Sequence, residues 1–493
     1  MSPWLVLTIV GMYFVMLIVV SVVTSRGATS QTFFTGNRES PWYLVAFGMI
    51  GTSLSGVTFI SIPGEVGTSQ FAYFQVVMGY VIGYTVIRKV LLPLYYRLNL
   101  VSIYEYLDSR FGFWAYKSGA FFFLVSRVVG AAFRLFLAAM VLQLAIFDAA
   151  GIPFWVTVLV TIFLIWVYTF KGGIKTIVWT DTLQTTFLVS AVVFTIYFIS
   201  KELDISLVGL GELVTTSEYS RIFVWDWQSP YNFFKQFIAG AFIAIVMTGL
   251  DQDLMQKNLT CRNLEEAQKN MYWFTILLVF VNFLFLTLGA MLYLYAGHEG
   301  IAIPDRTDEL YPMLAIHHFP IALGIAFILG ITAAAYASSD SALAALTTSF
   351  CVDFLGFKQT DEETPRRTRT RMLVHMGFSL LICAVIIVFQ AINDESVITS
   401  VFKAAGYTYG PLLGLFAFGM FMKRKVRDRW IPYVCVLSPI LSYALASNSK
   451  ELLFGYEFGF EILLVNGLFT FIGLWILSIG QGVIETENIA VRN

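Results

Sequence analysis

The 493-residue chain is short of charge: Asp, Glu, Lys and Arg make up 13% of it, where an average soluble domain carries about 25%. So little charge excludes a soluble globular protein and points to an integral membrane protein. Histidine is scarce too, four in all, and HExxH, GxSxG and P-loop spacings are missing. Neither metal-dependent hydrolysis nor ATP-driven transport therefore has residues to carry it. The four cysteines, Cys261, Cys351, Cys383 and Cys435, lack CxxC or Cys/His spacing and read as small buried hydrophobes. The first apolar run has no basic flank and no A-x-A site, so it reads as a retained span and not a removable signal.

What is present is hydrophobicity, 58% of residues, in repeated runs of roughly 20. About 13 spans are expected, near 4–24, 42–66, 71–97, 115–147, 152–170, 178–200, 234–254, 272–297, 319–353, 370–392, 396–421, 430–445 and 460–480. Cationic residues collect in alternate loops: Arg26 and Arg38; Arg97, Arg110 and Lys117; Lys171 and Lys175; Lys257, Arg262 and Lys269; Arg366 to Arg371; Lys423 to Arg429. The other loops hold only Lys201, Arg221, Arg306 and Lys450 beside several acids. The positive-inside rule then sets the N-terminus outside and the C-terminus in the cytoplasm of a multi-pass plasma (inner) membrane protein. On that reading DEETPRRTRTR (361–371) is a cytoplasmic loop and not a nucleic-acid surface.

Two spans look interrupted. The second, FGMIGTSLSGVTFISIPGEVG, carries Gly48, Gly51, Gly56, Pro63 and Gly64; the seventh ends TGLDQDLMQK, with Asp251 and Asp253 next to Gly249. They lie five spans apart, and matched interruptions in two halves point to an inverted repeat with a binding site near mid-membrane. The competing reading is that the glycines only permit close helix packing.

The ninth span, ITAAAYASSDSALAALTTSF, carries a column of hydroxyls and an acid, Asp340. At helical spacing Ala334, Ala337, Ser338 and Ser341 share a stripe. Hydroxyls, carbonyls freed at a break and one carboxylate make an oxygen-only site for a hard cation. Against this, each serine taken singly can bond back to its own helix. A second acid, Asp181, opens the expected sixth span in GGIKTIVWTDTLQTTFL, where an N-cap role competes with a binding role.

These stretches, with FFTGNRES and GYTYGPLLGLFAFGMF, carry a resemblance over residues 4 to 425: the chain looks like a member of the sodium/solute symporter family. The resemblance implies an all-α LeuT-type fold of 5+5 inverted repeats in one transporter domain, with residues 42–200 as first repeat and 234–421 as second. Residues 4–24 and 430–480 supply the extra spans. It implies sodium as the driving ion and a main sodium site at Gly51, Leu54, Ala334, Ala337 and Ser338. Ala337 departs from the family, which usually has a hydroxyl there; Ser339 follows two positions on. A possible second sodium or proton site falls on Asp181, Asp340 and Ser341, where two close carboxylates would hold either a cation or a shared proton.

Ala244, Met247, Phe285 and Thr58 replace the polar groups that sugar carriers of that family use. Cations stand in their stead: Arg127 and Arg134 in the fourth span and Lys403 in the eleventh. An intramembrane cation is a candidate for function, or else it pairs structurally with an acid such as Asp148, Asp181 or Asp340. A free one favours a carboxylate partner. The expected substrate is thus a small anionic organic solute, carboxylate or sialate-like, lined by Ser53, Thr58, Arg134 and Lys403. A sodium:sugar symporter, and more remotely a channel or sensor on the same fold, remain alternatives. No enzyme activity, cofactor other than Na+, or obligatory protein partner is expected.

Overall fold

The computed structural model describes residues 3–25, 30–169, 173–206, 209, 211–212, 216–358, 364–392 and 397–483. Arg26, Lys171, residues 361–363 of the basic loop and the tail from 484 lie outside them. Helix accounts for 82% of the chain, and no strands occur among the described residues.

The helices used below are α1 (Pro3–Thr24), α2 (Trp42–Ser53), α3 (Gly56–Ser69), α4 (Tyr73–Arg97), α5 (Phe113–Phe147), α6 (Phe154–Thr169) and α7 (Gly173–Glu202). There follow α8 (Phe233–Gly249), α9 (Gln252–Asn258), α10 (Leu264–His298), α11 (Ile321–Phe354), α12 (Pro365–Ile392), α13 (Val397–Thr408), α14 (Gly410–Phe421), α15 (Ile431–Ser447) and α16 (Ile462–Ser478). Among the described residues eight helices are long and apolar enough to cross a membrane, or up to ten if each bent pair counts as one span. Three more apolar helices, α6, α14 and α16, are shorter.

Both interruptions are real. α2 and α3 meet at 57°, α8 and α9 at 69°. The first break falls at Leu54 (φ −89°, ψ 69°) and Ser55 (ψ −179°), ahead of Pro63, which sits inside α3. The second falls at Leu250–Asp251, where the Asp251 side chain caps α9 by accepting from the Asp253 N–H at 2.9 Å. A third was not legible: the eleventh apolar run divides at Tyr409 into α13 and α14.

Broken backbone inside an apolar body needs partners that water cannot supply. At the second break they are aromatic hydroxyls: Tyr95 donates to the Gly249 carbonyl (2.8 Å) and Tyr104 to Leu250 (3.0 Å). Gln252 bridges the Ile103 N–H (2.9 Å) and the Val101 carbonyl (2.7 Å).

Two expectations are overturned here. α7 begins at Gly173, so Asp181 lies in the helix interior and cannot be its N-cap. Lys257, counted among loop cations, is on α9 and 1% exposed; the short half-helix carries it back into the bundle.

Packing brings α7 against α2 and α11, α3 against α10, α11 against α5, and α4 against α8. The α4–α8 seam is closest: a Cβ on Gly79 would overlap the Phe237 carbonyl, and one on Gly240 the Val76 carbonyl, so only glycine fits.

At the far end of α11, Asp353 accepts from Tyr116 (2.8 Å) and Ser349 (2.5 Å), tying α5 to α11. Glu105 stands nearby, at the start of a short connecting helix between α4 and α5 (Glu105–Arg110). Burial, aided by the Asp353 charge, pushes its carboxyl from 4.5 to about 7. The folded protein holds that proton more tightly than the unfolded chain does. Its stabilising contribution is therefore complete below about 4.5 and lost as pH rises through about 7. Thermal unfolding in detergent should show stability falling between pH 5 and 8, by up to about 3 kcal/mol, and Glu105→Gln should flatten that slope.

Candidate functional site

At the first break the backbone bonds run Leu54 N–H to Ile50 O (2.7 Å) and Phe59 N–H to Ser55 O (3.1 Å). That ladder skips the carbonyls of Gly51 and Leu54, the two positions marked for a cation. Gly51 lets α2 lie close to α7: a Cβ there would crowd Thr185 Oγ1, the oxygen to which the Gly51 N–H donates at 3.0 Å. Gly56, just past the break, packs against Ile331 and Ala335 of α11 and the Arg134 carbonyl of α5.

α11 faces the break. Thr52 on α2 donates to the Ala337 carbonyl at 3.3 Å, so the turn at Gly51–Leu54 is held beside Ala334, Ala337 and Ser338. All three are fully buried. Ser338 Oγ bonds back to the Ala335 carbonyl at 3.0 Å, the competing reading raised for it, while the buried Ser339 hydroxyl has no partner in the protein. Unladdered carbonyls, hydroxyls and an unpartnered oxygen form a donor set that suits a small alkali cation and offers a soft metal nothing.

Beside it lies a cluster of buried charge. Asp181 Oδ2 accepts from Thr52 (3.1 Å) and pairs with the Lys257 ammonium, which also donates to Thr52; both charged side chains are at most 1% exposed. Asp340 accepts from Tyr168 at 2.9 Å and interacts with the Asp181 and Lys257 charges. Ser341 turns elsewhere, donating to Asp253. The proposed trio thus divides: Asp181 and Asp340 share one cluster, and the Ser341 hydroxyl serves the next.

In that next cluster Arg127 pairs with Asp253 and, at 3.9 Å, with Asp251; Tyr409 donates to Asp251. Arg127 is therefore a structural cation, but its partners are not Asp148, Asp181 or Asp340. The network joins α5, α9, α11 and the α13–α14 break.

A cavity opens between the first break and α4, α5, α8, α10 and α13. Ser53, Thr58 and Arg134 line it as expected. Among the described residues no carboxylate pairs with Arg134. Tyr80, Tyr84, Thr248 and Asn282 also line it and were missed. The clue lay in the YxxxxxxYxxxY spacing of Tyr73, Tyr80 and Tyr84, which puts these hydroxyls near one face of α4. Lys403 is not in this cavity. It lines a second one with Glu65, Tyr231 and Glu457. Tyr73, Ile398 and Phe402 border both, and the Tyr73 and Phe402 rings stack across the junction (centroids 6.4 Å apart, 11° between planes).

The profile described as "SSF: Sodium:solute symporter family" matches residues 33–428. The sodium/sialic acid symporter SiaT of Proteus mirabilis (strain HI4320) is 25% identical over 431 residues, covering 84% of this chain and 82% of its own. The sodium-coupled monocarboxylate transporter 1 of Xenopus laevis is 26% identical over 409 residues, 80% and 63% of the two chains. Among solved structures, a Na+-coupled sialic acid symporter in a substrate-bound outward-open state superposes with a TM-score of 0.82 at 22% identity, covering 97% of this chain and 98% of that one. The transporter Mhp1 in a closed conformation follows the same fold more loosely (TM-score 0.55, 14% identity, 92% and 96% covered).

Removing one partner of a buried ion pair costs roughly 3–5 kcal/mol because the other charge is stranded. Arg127→Met should therefore cut the yield of folded protein and its melting temperature sharply in size-exclusion thermostability assays. Adding Asp253→Asn should recover part of the loss; no recovery would mean the pair is not what holds these helices.

Proposed function

The chain belongs to the sodium:solute symporter family, and on that premise we propose that it carries a hydroxylated organic acid of the sialate type into the cell by sodium-driven alternating access. One observation bears the substrate assignment: Arg134, a guanidinium without an ion-pair partner, faces a cavity whose other polar lining is hydroxyl and amide. A planar guanidinium recognises a carboxylate bidentately. Ser53, Ser55, Thr58, Tyr80, Tyr84, Thr248 and Asn282 then supply more hydrogen-bonding groups than a short monocarboxylate would use. A pyranose without the acid would leave Arg134 unanswered, and Ala244 and Met247 give it no hydrogen bonds in return.

Sodium is read at Gly51, Leu54, Ala334 and Ser338, with Ser339 able to offer the oxygen that Ala337 lacks. A ligand shifts a conformational equilibrium only by its differential affinity for the two states. Ligands split between the α2–α3 break and α11 supply that difference, because sodium binds tightly only while these elements are packed together. Sodium held there would fix the break whose far side, at Ser53 and Thr58, lines the substrate cavity. Sodium binding and a formed substrate site are thereby the same conformational event.

The architecture consistent with this reading is about 13 spans in a 5+5 inverted repeat, 42–200 and 234–421, flanked by 4–24 and 430–480. The protein would sit in the plasma membrane with N-terminus outside and C-terminus inside, working without enzymatic chemistry or an obligatory partner protein. The cavity holding Lys403 would then be an outer vestibule, and the Tyr73–Phe402 stack would separate it from the central site.

Proteoliposomes offered a labelled sialate, lactate, proline or galactose, with an inward sodium gradient or with choline, test the proposal. Sialate should accumulate only with sodium, and Arg134→Met should reduce its uptake at least a hundredfold. Accumulation of galactose, with Arg134→Met unimpaired, would refute the substrate assignment while keeping sodium coupling. In the same assay Ser338→Ala should raise the sodium concentration for half-maximal uptake several-fold.

A further inference from the structure

The Asp181 cluster holds more than a candidate ion site needs. Its one ammonium, Lys257, arrives from α9 and donates both to Asp181 Oδ2 and to Thr52 Oγ1, oxygens borne by α7 and α2. Lys257, Asp181 and Asp340 are all at most 1% exposed, so neither water nor salt screens the charges. Asp181 Oδ1 accepts no hydrogen bond from the protein.

A sodium ion at Asp181 would draw on the oxygens the ammonium already engages. Two unit cations about 4 Å apart repel by roughly 4 kcal/mol at an effective dielectric of 20, enough to lower the sodium affinity there by nearly a thousandfold. Asp340 does not reverse this balance, because Tyr168 already supplies it with a donor and its charge acts on Lys257 as well as on Asp181. An ammonium on a side chain also fills its place without the entropic loss of binding a free ion, and it cannot be released to the other side.

We infer that Lys257 is a tethered cation standing where a second sodium would bind, so that this chain moves one sodium per substrate and Lys257 sets that stoichiometry. Because it links α9 to α2 and α7, it also joins the second break to the first in the manner of a bound ion. The inference rests on the sodium reading given above. It goes further in assigning the Asp181 position to the protein's own charge, leaving only the Gly51–Ser338 site for transported sodium.

Two measurements on the purified full-length chain decide it. Binding of 22Na+ by scintillation proximity should show one site per chain with a Hill coefficient near 1. Sialate accumulation in proteoliposomes, with membrane potential clamped at zero, should then not exceed tenfold for a tenfold sodium gradient. Two sodium ions bound per wild-type chain, or accumulation approaching a hundredfold, would overturn the inference. Lys257→Gln leaves Asp181 bare and should bring in a second sodium, with bound 22Na+ rising from one to two per chain. A folded variant that stays at one sodium would overturn the replacement and leave Lys257 a purely structural pair. Where that variant does not fold, the wild-type count alone decides. One sodium bound without uptake of any acid would support Lys257's role and defeat the substrate reading; no sodium bound at all would defeat both.

Discussion

A polar group buried in an apolar bundle must find its partner inside the protein, and this constraint organises everything seen at the two breaks. The second break is well satisfied: Tyr95 and Tyr104 take up its backbone, the Gln252 side chain ties it to Val101 and Ile103, and Arg127 answers both of its aspartates. The first break is left partly open, with the Gly51 and Leu54 carbonyls outside the ladder, the Ser339 hydroxyl without a hydrogen-bond partner and Arg134 without an ion-pair partner. The division is informative in itself. Groups the protein satisfies are scaffold, and groups it leaves over are the ones that the proposed function gives to a transported ion and a transported solute.

Charge follows the same division. Arg127 and Arg134 lie on one helix, seven residues apart and hence near one face. One is consumed by Asp251 and Asp253; the other has a cavity in front of it. Two arginines of equal standing in the sequence thus have opposite roles, decided by what α9 brings to the first and leaves away from the second. The hydroxyls behave likewise: Ser341 is spent on Asp253, while Ser338 gives only its proton to its own helix and keeps its oxygen lone pairs, and Ser339 has no protein partner.

Much of this was legible. Glycine clusters marked both breaks, helical spacing put Ala334, Ala337 and Ser338 on one stripe, and Arg134 proved to face the cavity together with Ser53 and Thr58. What stayed hidden depended on partners far apart in the chain. Hydropathy counts a lysine as a cost and sends it to a loop, so Lys257 could not be seen returning to Asp181 from 76 residues away. An N-cap role for Asp181 stayed open because the apolar run was placed at 178–200, whereas α7 already begins at Gly173. Lys403 aligned with a binding position by its place along the eleventh run, but the division of that run at Tyr409 leaves it facing the second cavity. Local pattern reveals which backbone is weak. It does not reveal which distant side chain will compensate.

The glycine seam between α4 and α8 has a mechanical meaning. With Gly79 against the Phe237 carbonyl and Gly240 against Val76, the two backbones touch with no side-chain layer between them to deform. Such a joint resists sliding and resists parting, so the two helices behave as a single lever. Tyr80 and Tyr84 on α4 and Met247 and Thr248 on α8 must then keep their spacing across that wall of the cavity while it changes access. The compliance has to lie elsewhere, in the extended turn at Leu54–Ser55, where the Gly51 and Leu54 carbonyls are already free of the ladder.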